Sequence, residues 1–298
     1  MSNDQGRLRI AVQKSGRLLE ESIELLRLCG IQLLKSKDQL FCKAENFPLD
    51  VYFVRDDDIP AFVSSNVCDI GIVGQNVLYE EQLSQQNSDI QSIEEVLPLG
   101  FGKCRLSMAA PYSFEYKSSQ SLDKQSIATS YPGLVRKFLD DNNVQAKIIE
   151  MSGSVEIAPR IQMTDVICDL VSTGGTLATN GLTEVETILE SQAVLIKNGS
   201  LSSEKQPLLD QLLLRIQGVQ EAKSSKYIML HAPNEKVDDI KGVLPGAESP
   251  TILSIQGRND MVAIHAVCNE GVFWDTMENL KAKGASSILV LPIEKMME

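Results

Sequence analysis

Short apolar runs alternate along the chain with stretches whose apolar positions recur at helical spacing. RLRIAVQ (7–13) reads as a strand. Ser15 and Gly16 then open RLLEESIELLRLCG, where Leu18, Leu19, Ile23, Leu25 and Leu26 form a helical face that Gly30 ends. LDVYFVRD (49–56) is a strand, DIPAFVSSNV a helix with Pro60 in its first turn, and CDIGIVG a buried strand that ends on glycine. Strand, helix, strand in that order predicts parallel pairing with helices packed outside. A second α/β unit begins near LGFGKCRLSMAAP (99–111). SIATSY follows as a strand, PGLVRKFLDDNN as a helix, AKIIEM as a strand and SVEIAPRIQM as a helix, before DVICDLVSTGGT. TEVETILESQAVLIKN (183–198) reads as two extended segments returning across the molecule, with LLDQLLLRIQGVQEA a helix after them.

The last stretch has a different order. KYIMLHAP is a strand, EKVDDIKGVLPG a helix, PTILSIQ and MVAIHAVC strands, FWDTMENLKAKG a helix and SSILVLPIE a strand. This β-α-β-β-α-β order is ferredoxin-like. It predicts a separate domain of about seventy residues, small for a catalytic one and suited to regulation or pairing. SSEKQ and EAKSSK are polar candidate joints. The expected organisation is an α/β chain with lobe I at 1–98 plus 183–223, lobe II at 99–182, and a third domain at 224–298. A cleft between two such lobes is a favoured ligand site.

Composition narrows the function. The chain has 298 residues, 43% hydrophobic and 23% charged, so two or three domains are expected. MSNDQGRLRIAVQ lacks the basic and apolar regions of a signal peptide, and no apolar run approaches a membrane span, so a cytoplasmic protein is expected. Six cysteines without a CxxC spacing read as reduced, buried thiols, and two histidines make a His-rich metal site a poor fit. A net charge of −12 argues against nucleic acid as a partner. A small polyanion remains open to such a chain, given local N–H groups, a few cations, and Mg²⁺ brought by the ligand's own phosphates.

The richest candidate is DLVSTGGT (169–176), in which Asp169 closes a strand and Ser172, Thr173, Gly174, Gly175 and Thr176 form a loop that opens a helix. Ligands of open α/β sheets bind outside the carboxyl ends of strands, where bare backbone and short hydroxyls meet an anion. A helix-capping turn is the bland alternative. QKSGR (13–17) sets Lys14 and Arg17 beside a glycine, where solvated charge at a helix start is the bland reading and phosphate pairing the sharper one, toward which the mild conflict with the helix dipole leans. RDDDIP reads as ordinary N-terminal carboxylates, with Arg55 the member suited to a base or phosphate. Asp69 and Gly71 fall in a buried strand, where an aspartate needs a partner or a task. Arg105 of CRLS, the ATSYP strand end, and Glu156 with Arg160 at helical spacing are weaker signals. No Ser-His-Asp or Cys-His nucleophile assembles, because both histidines lie in the small domain, so positioning and electrostatics are the expected means of catalysis.

QKSGRL, VRDDDIP, DIGIVGQN, CRLS, ATSYP, GSVEIAPR and DLVSTGGTL, in that order, closely resemble the ATP phosphoribosyltransferase family in its long, histidine-regulated form. The likeness covers nearly the whole chain, to the closing GASSILVLPIEKMME. It implies two lobes resembling a periplasmic binding protein, followed by an ACT-like domain that binds histidine. It implies attack of adenine N1 of ATP on C1 of phosphoribosyl pyrophosphate, with Mg²⁺ as cofactor, as the first step of histidine biosynthesis. L-Histidine is then an inhibitor, AMP a further one, and the assembly a homo-oligomer between dimer and hexamer, without nucleic acid or membrane. Carried over, Asp169 to Thr176 would hold the ribose and its 5-phosphate, Lys14 and Arg17 would lie near the pyrophosphate, Asp69 and Gly71 near the cleft floor, and Arg55 and Arg105 on the ATP side. His231, Thr251, Ala285, Ser286 and Ser287 would form the regulatory site. Family members usually carry an arginine just before the IATSYP strand, where this chain has Ser126. A two-lobed receptor and a catalytically silent regulatory subunit are the rival readings. Pyrophosphate release that requires both substrates separates the enzyme from either.

Overall fold

The computed structural model describes residues 6–34, 39–84, 93–244, 250–269 and 274–296. Pro245 and Gly246 of the expected EKVDDIKGVLPG helix, Phe273, and Met297 with Glu298 lie outside them, as do residues 1–5. The chain divides into two compact units, one of 1–27 and 31–208, the other of 28–30 and 209–298.

The first unit contains two sheets. The first is built from β1 (Leu8–Gln13), β2 (Phe41–Lys43), β3 (Leu49–Val54), β4 (Ile70–Gly74), β5 (Ile93–Pro98) and β11 (Ala193–Asn198), in the order β2-β3-β1-β4-β11-β5. β1 pairs in parallel with β3 and β4, and β11 is antiparallel to both β4 and β5. Helices α1 (Arg17–Leu28), α2 (Ile59–Ser64) and α3 (Gln75–Ser84) accompany it. The strands read as apolar runs because they are covered: Ile10, Val51, Ile70, Ile72, Val194 and Ile196 are fully inaccessible. Gly71 is required by this packing. A Cβ there would stand 2.7 Å from Ile59 Cγ2 and 3.1 Å from Val63 Cγ2, so glycine lets α2 lie directly on the sheet.

The second sheet has the order β10-β6-β9-β7-β8, with β6 (Cys104–Pro111), β7 (Ser126–Thr129), β8 (Lys147–Glu150), β9 (Val166–Val171) and β10 (Leu182–Ser191). β9, β7 and β8 are parallel, while β10 and β6 form an antiparallel edge. Helix α4 (Pro132–Asp141) covers one face, with its Val135 clustered with Leu106, Ile127 and Val166, and Ala128, Ile167 and Leu177 fill the other. The two returning segments are present, but the chain changes sheets at Gln192 and not at 183, because β10 completes the second sheet and only β11 enters the first. SVEIAPRIQM does not form an α-helix. Gly153 and Ser154 both have positive φ, Pro159 supplies no N–H, and only a 3-10 turn at Val155–Ile157 forms. Glu156 and Arg160 accordingly make no ion pair among the described residues.

The second unit has the anticipated order β12 (Ser225–Pro233), α7 (Val237–Lys241), β13 (Thr251–Ile255), β14 (Arg258–Asn269), α8 (Trp274–Ala282) and β15 (Ser286–Pro292). Its antiparallel sheet runs β13-β14-β12-β15, with Ile228, Leu230, Ile264, Ile240 and Leu280 in its core. EAKSSK is not a joint. Helix α6 (Gln206–Ser224) runs straight into β12, and from Leu209 it belongs to this unit. Met296 N–H donates to the Gly218 carbonyl at 3.2 Å, and a Cβ on Gly218 would meet the Met296 carbonyl oxygen. That contact ties the helix to the end of the described chain.

Candidate active site

At the carboxyl ends of the first sheet's parallel strands, register places Gln13 beside Val54. Lys14 therefore leaves β1 next to Arg55, which leaves β3, and the Lys14 N–H donates to the Val54 carbonyl at 2.7 Å. Gly16, at φ +92°, turns the chain into α1, whose first residue is Arg17. All three cations are exposed at one sheet edge.

On the second sheet, Asp169 lies across from Ser107, near the carboxyl end of β9. Its Oδ1 accepts the Leu170 N–H at 2.8 Å. Burial pushes its carboxyl pKa above the ordinary value; the Leu170 N–H opposes that rise and the charge of Glu156 adds to it. Ser172 to Thr176 follow as a loop. Gly174 adopts φ +78°, a left-handed conformation that suits glycine, at the start of α5 (Gly175–Thr179). Among the described residues the N–H groups of Thr173 to Thr176 donate to no protein acceptor, and the hydroxyls of Ser172, Thr173 and Thr176 form no hydrogen bond. α5 has only five residues, so the anion-binding capacity here comes from local donors more than from a helix dipole.

The two edges meet at Tyr131, which follows β7. Its hydroxyl accepts a hydrogen bond from Asn76 Nδ2 at 3.0 Å. Asn76, 3% exposed on α3, is itself fixed by Ser191, whose Oγ donates to its Oδ1 at 2.8 Å. Burial raises the Tyr131 phenol well above its usual range, helped by the charges of Asp169 from one edge and Asp57 and Asp56 from the other. A second strut lies beside it: both oxygens of Glu80 accept backbone N–H groups at the start of α4, Gly133 at 2.7 Å and Leu134 at 2.9 Å. Glu80→Ala should lower stability by about 1 kcal/mol, the usual loss for a helix-start acceptor, measured as a reduced urea midpoint.

Other expected residues are placed differently. Asp69 precedes β4, at the amino end of the parallel strands and away from the cleft floor. Its Oδ2 accepts the Arg9 N–H at 2.8 Å and Lys205 Nζ at 2.7 Å, and its Oδ1 accepts Arg9 Nη2 at 3.1 Å. Its charge is thus spent on a buried ion cluster, and Gly71 lies under α2. Arg105 stands against the loop: Nε and Nη2 donate to Glu184 at 2.5 and 2.6 Å, and Nη1 to the Ser172 carbonyl at 3.3 Å. That engagement holds it beside Ser172, the first residue of the loop. Glu184 is held down to about 2, chiefly by its hydrogen bond from Arg105; burial opposes this, and Ser107, the charge of Arg105 and Thr187 add to the lowering. Ser126 is at the amino end of β7, bonded through its N–H and Oγ to Asp165. Its departure from arginine therefore falls far from the loop. Hollows of 440 Å³ between α3, α4 and β10 and of 360 Å³ beside Ser126 also lie apart from it.

In the small domain, direct pairing sets His231 opposite Ala263 and Ser286, and Thr251 opposite His265. Alternation puts these side chains on the sheet face away from the core. His265 Nδ1 is hydrogen-bonded to the Tyr227 hydroxyl, Ala285 is 4% exposed, and Ser287 has φ +50°.

The sequence profile of HisG, ATP phosphoribosyltransferase, matches residues 55–218, and that of the HisG C-terminal domain matches residues 222–295. The chain belongs to the ATP phosphoribosyltransferase family. It is a pentosyltransferase of histidine biosynthesis that carries the family's C-terminal regulatory domain. Among solved structures it is similar to the ATP phosphoribosyl transferase (HisG:HisZ) complex from Thermotoga maritima, at 25% identity and a TM-score of 0.58, over 70% of this chain and 98% of that one. Looser likenesses reach arginine-bound ArgBP from T. maritima, at 11% identity and 0.45 over 72% and 95% of the chains. They also reach the alkanesulfonate-binding protein SsuA from Xanthomonas axonopodis pv. citri, at 14% and 0.47 over 79% and 77%. Glu184, paired with Arg105, and Asn76, bonded to Tyr131, are groups around the candidate site that pattern reading did not single out. No helix among the described residues is long and apolar enough to cross a membrane.

Proposed function

We propose that this chain joins adenine N1 of ATP to C1 of phosphoribosyl pyrophosphate, releasing pyrophosphate and phosphoribosyl-ATP. The observation that carries this reading is the loop of 172–176, whose N–H groups and hydroxyls are uncommitted beside Asp169 at the end of a parallel strand. The loop receives the 5-phosphate, and Asp169 holds the ribose hydroxyls. As the bond from C1 to pyrophosphate lengthens, the ribosyl centre gathers positive charge, which the Asp169 carboxylate favours. Lys14 and Arg17 receive the departing pyrophosphate, and Arg55, adjacent to Lys14, serves the ATP phosphates. Adenine N1 already carries the attacking lone pair, so no general base is called for.

Among the described residues no group of three or more His, Cys, Asp or Glu is placed to hold a metal ion. Mg²⁺ fits this site as the counter-ion of the substrates' phosphates, where it lowers the charge of the leaving group. L-Histidine inhibits through the small domain, at His231, Thr251 and Ala285 to Ser287, and AMP competes at the nucleotide side. The outer face of that domain's sheet leaves Leu253, Val267, Leu289 and Leu291 between 42% and 50% exposed, which supports assembly of copies from dimer to hexamer. The test is pyrophosphate release by the purified chain with Mg²⁺, ATP and phosphoribosyl pyrophosphate. Release needing both substrates and reduced by L-histidine is expected. Release indifferent to histidine would overturn the regulatory assignment, and none at all the catalytic one.

A further inference from the structure

We propose that Glu184 is a positioning residue for the phosphoribosyl pyrophosphate loop, acting through Arg105 to set the direction of the loop's first N–H donor. The inference rests on the reading of residues 172–176 as the substrate-phosphate cradle. Glu184 is on β10, two strands from the loop, and touches none of it directly. Its Oε1 accepts Arg105 Nε at 2.5 Å, Ser107 Oγ at 2.8 Å and Thr187 Oγ1 at 3.2 Å, while Oε2 accepts Arg105 Nη2 at 2.6 Å. Two parallel bonds to one carboxylate fix the plane of a guanidinium as a single contact cannot. The remaining terminal nitrogen, Nη1, is thereby aimed at the carbonyl of Ser172.

That carbonyl belongs to the peptide unit that also carries the Thr173 N–H. In a planar trans peptide the C=O and N–H point in opposite directions. Holding the Ser172 carbonyl on Arg105 turns the Thr173 N–H away from β6 and out of the loop. Glu184 also cancels the charge of Arg105, so the pair orders the loop without adding a cation to it. The Ser107 and Thr187 hydroxyls complete the set of donors around the carboxylate and resist its rotation.

The consequence is selective. Glu184→Gln keeps the shape but can no longer accept from both Nε and Nη2, so Arg105 loosens and the Ser172–Thr173 peptide is free to turn. A donor misdirected by a fraction of an ångström weakens phosphate binding, so the KM for phosphoribosyl pyrophosphate should rise about tenfold. The KM for ATP should stay within about twofold. Ser107→Ala removes one supporting donor without touching charge and should move the same constant in the same direction by less. Arg105→Ala should raise it at least as far as Glu184→Gln, and the double variant should be no worse than Arg105→Ala alone, because the two residues act as one device.

The experiment is steady-state pyrophosphate release for the wild-type chain and these four variants, with each substrate varied at saturating levels of the other and the melting temperature recorded. A selective, non-additive rise is the expected result. An unchanged constant for phosphoribosyl pyrophosphate in Glu184→Gln would overturn the inference. So would equal rises for both substrates together with a lowered melting temperature, which would mark general structural damage. A fall in that constant would identify Arg105 as a direct phosphate ligand restrained by Glu184, and overturn it as well. If Glu184→Gln fails to fold, Ser107→Ala decides by the same criteria. A wild-type chain that releases no pyrophosphate overturns the reading of the cradle, and this inference with it.

Discussion

Asp169→Asn should lower pyrophosphate release by about a hundredfold to a thousandfold, the range seen when one electrostatic stabiliser of a transition state is removed. It should do so without loss of stability. In the folded chain the Asp169 carboxyl is raised above its ordinary pKa, chiefly by burial. A raised carboxyl favours the folded state fully only below its unfolded pKa, and that contribution is lost as pH rises through the folded value. At pH 7 the ionised side chain is therefore a cost to folding, and amide replacement removes it. The melting temperature of Asp169→Asn at pH 7 should equal or exceed that of the wild type, and the difference should shrink on acidification towards pH 4. Near-normal turnover would sink the assignment. A lower melting temperature would mean that Asp169 holds the fold together.

Asp69 should behave in the opposite way. Its side chain is 3% exposed and that of Lys205 only 11%. Asp69→Ala leaves a buried ammonium without a partner and the Arg9 N–H without an acceptor. Breaking such a pair from one side costs about 3–5 kcal/mol. For a unit of this size that is a fall of roughly 10 °C in melting temperature, readable by calorimetry. The molecules that remain folded should bind both substrates with unchanged KM, since Asp69 stands at the far end of its strand. A selective change in either KM with stability preserved would return Asp69 to the cleft.

The contrast between these two aspartates shows what could be read from the sequence. Asp169 was legible because its setting is local: an apolar strand, then hydroxyls and glycines in consecutive positions. The small domain was legible for a similar reason, its strands and helices following one another with clear turns between them. Asp69 was visibly in need of a partner, but the partners are 60 and 136 residues away, and no local pattern names them. The same distance hid Glu184, 79 residues from Arg105. Helix α3 escaped pattern reading because it buries Asn76, Val77 and Leu78 in succession, where an ordinary amphipathic helix buries every third or fourth residue. SVEIAPRIQM misled in the other direction, having helical spacing but a proline and left-handed backbone that only a turn accommodates.

The change of sheet at Gln192 has a consequence for how the chain is made. β11 is inserted between β4 and β5, so the first sheet stays split, with two unpaired edges, until residues 193–198 have left the ribosome. The second sheet is complete one residue before Gln192, since every strand in it lies between Cys104 and Ser191. The lobe that begins later in the sequence can therefore close first. The earlier lobe waits through the synthesis of its neighbour with apolar strand edges open, the kind of edge that invites aggregation in that interval.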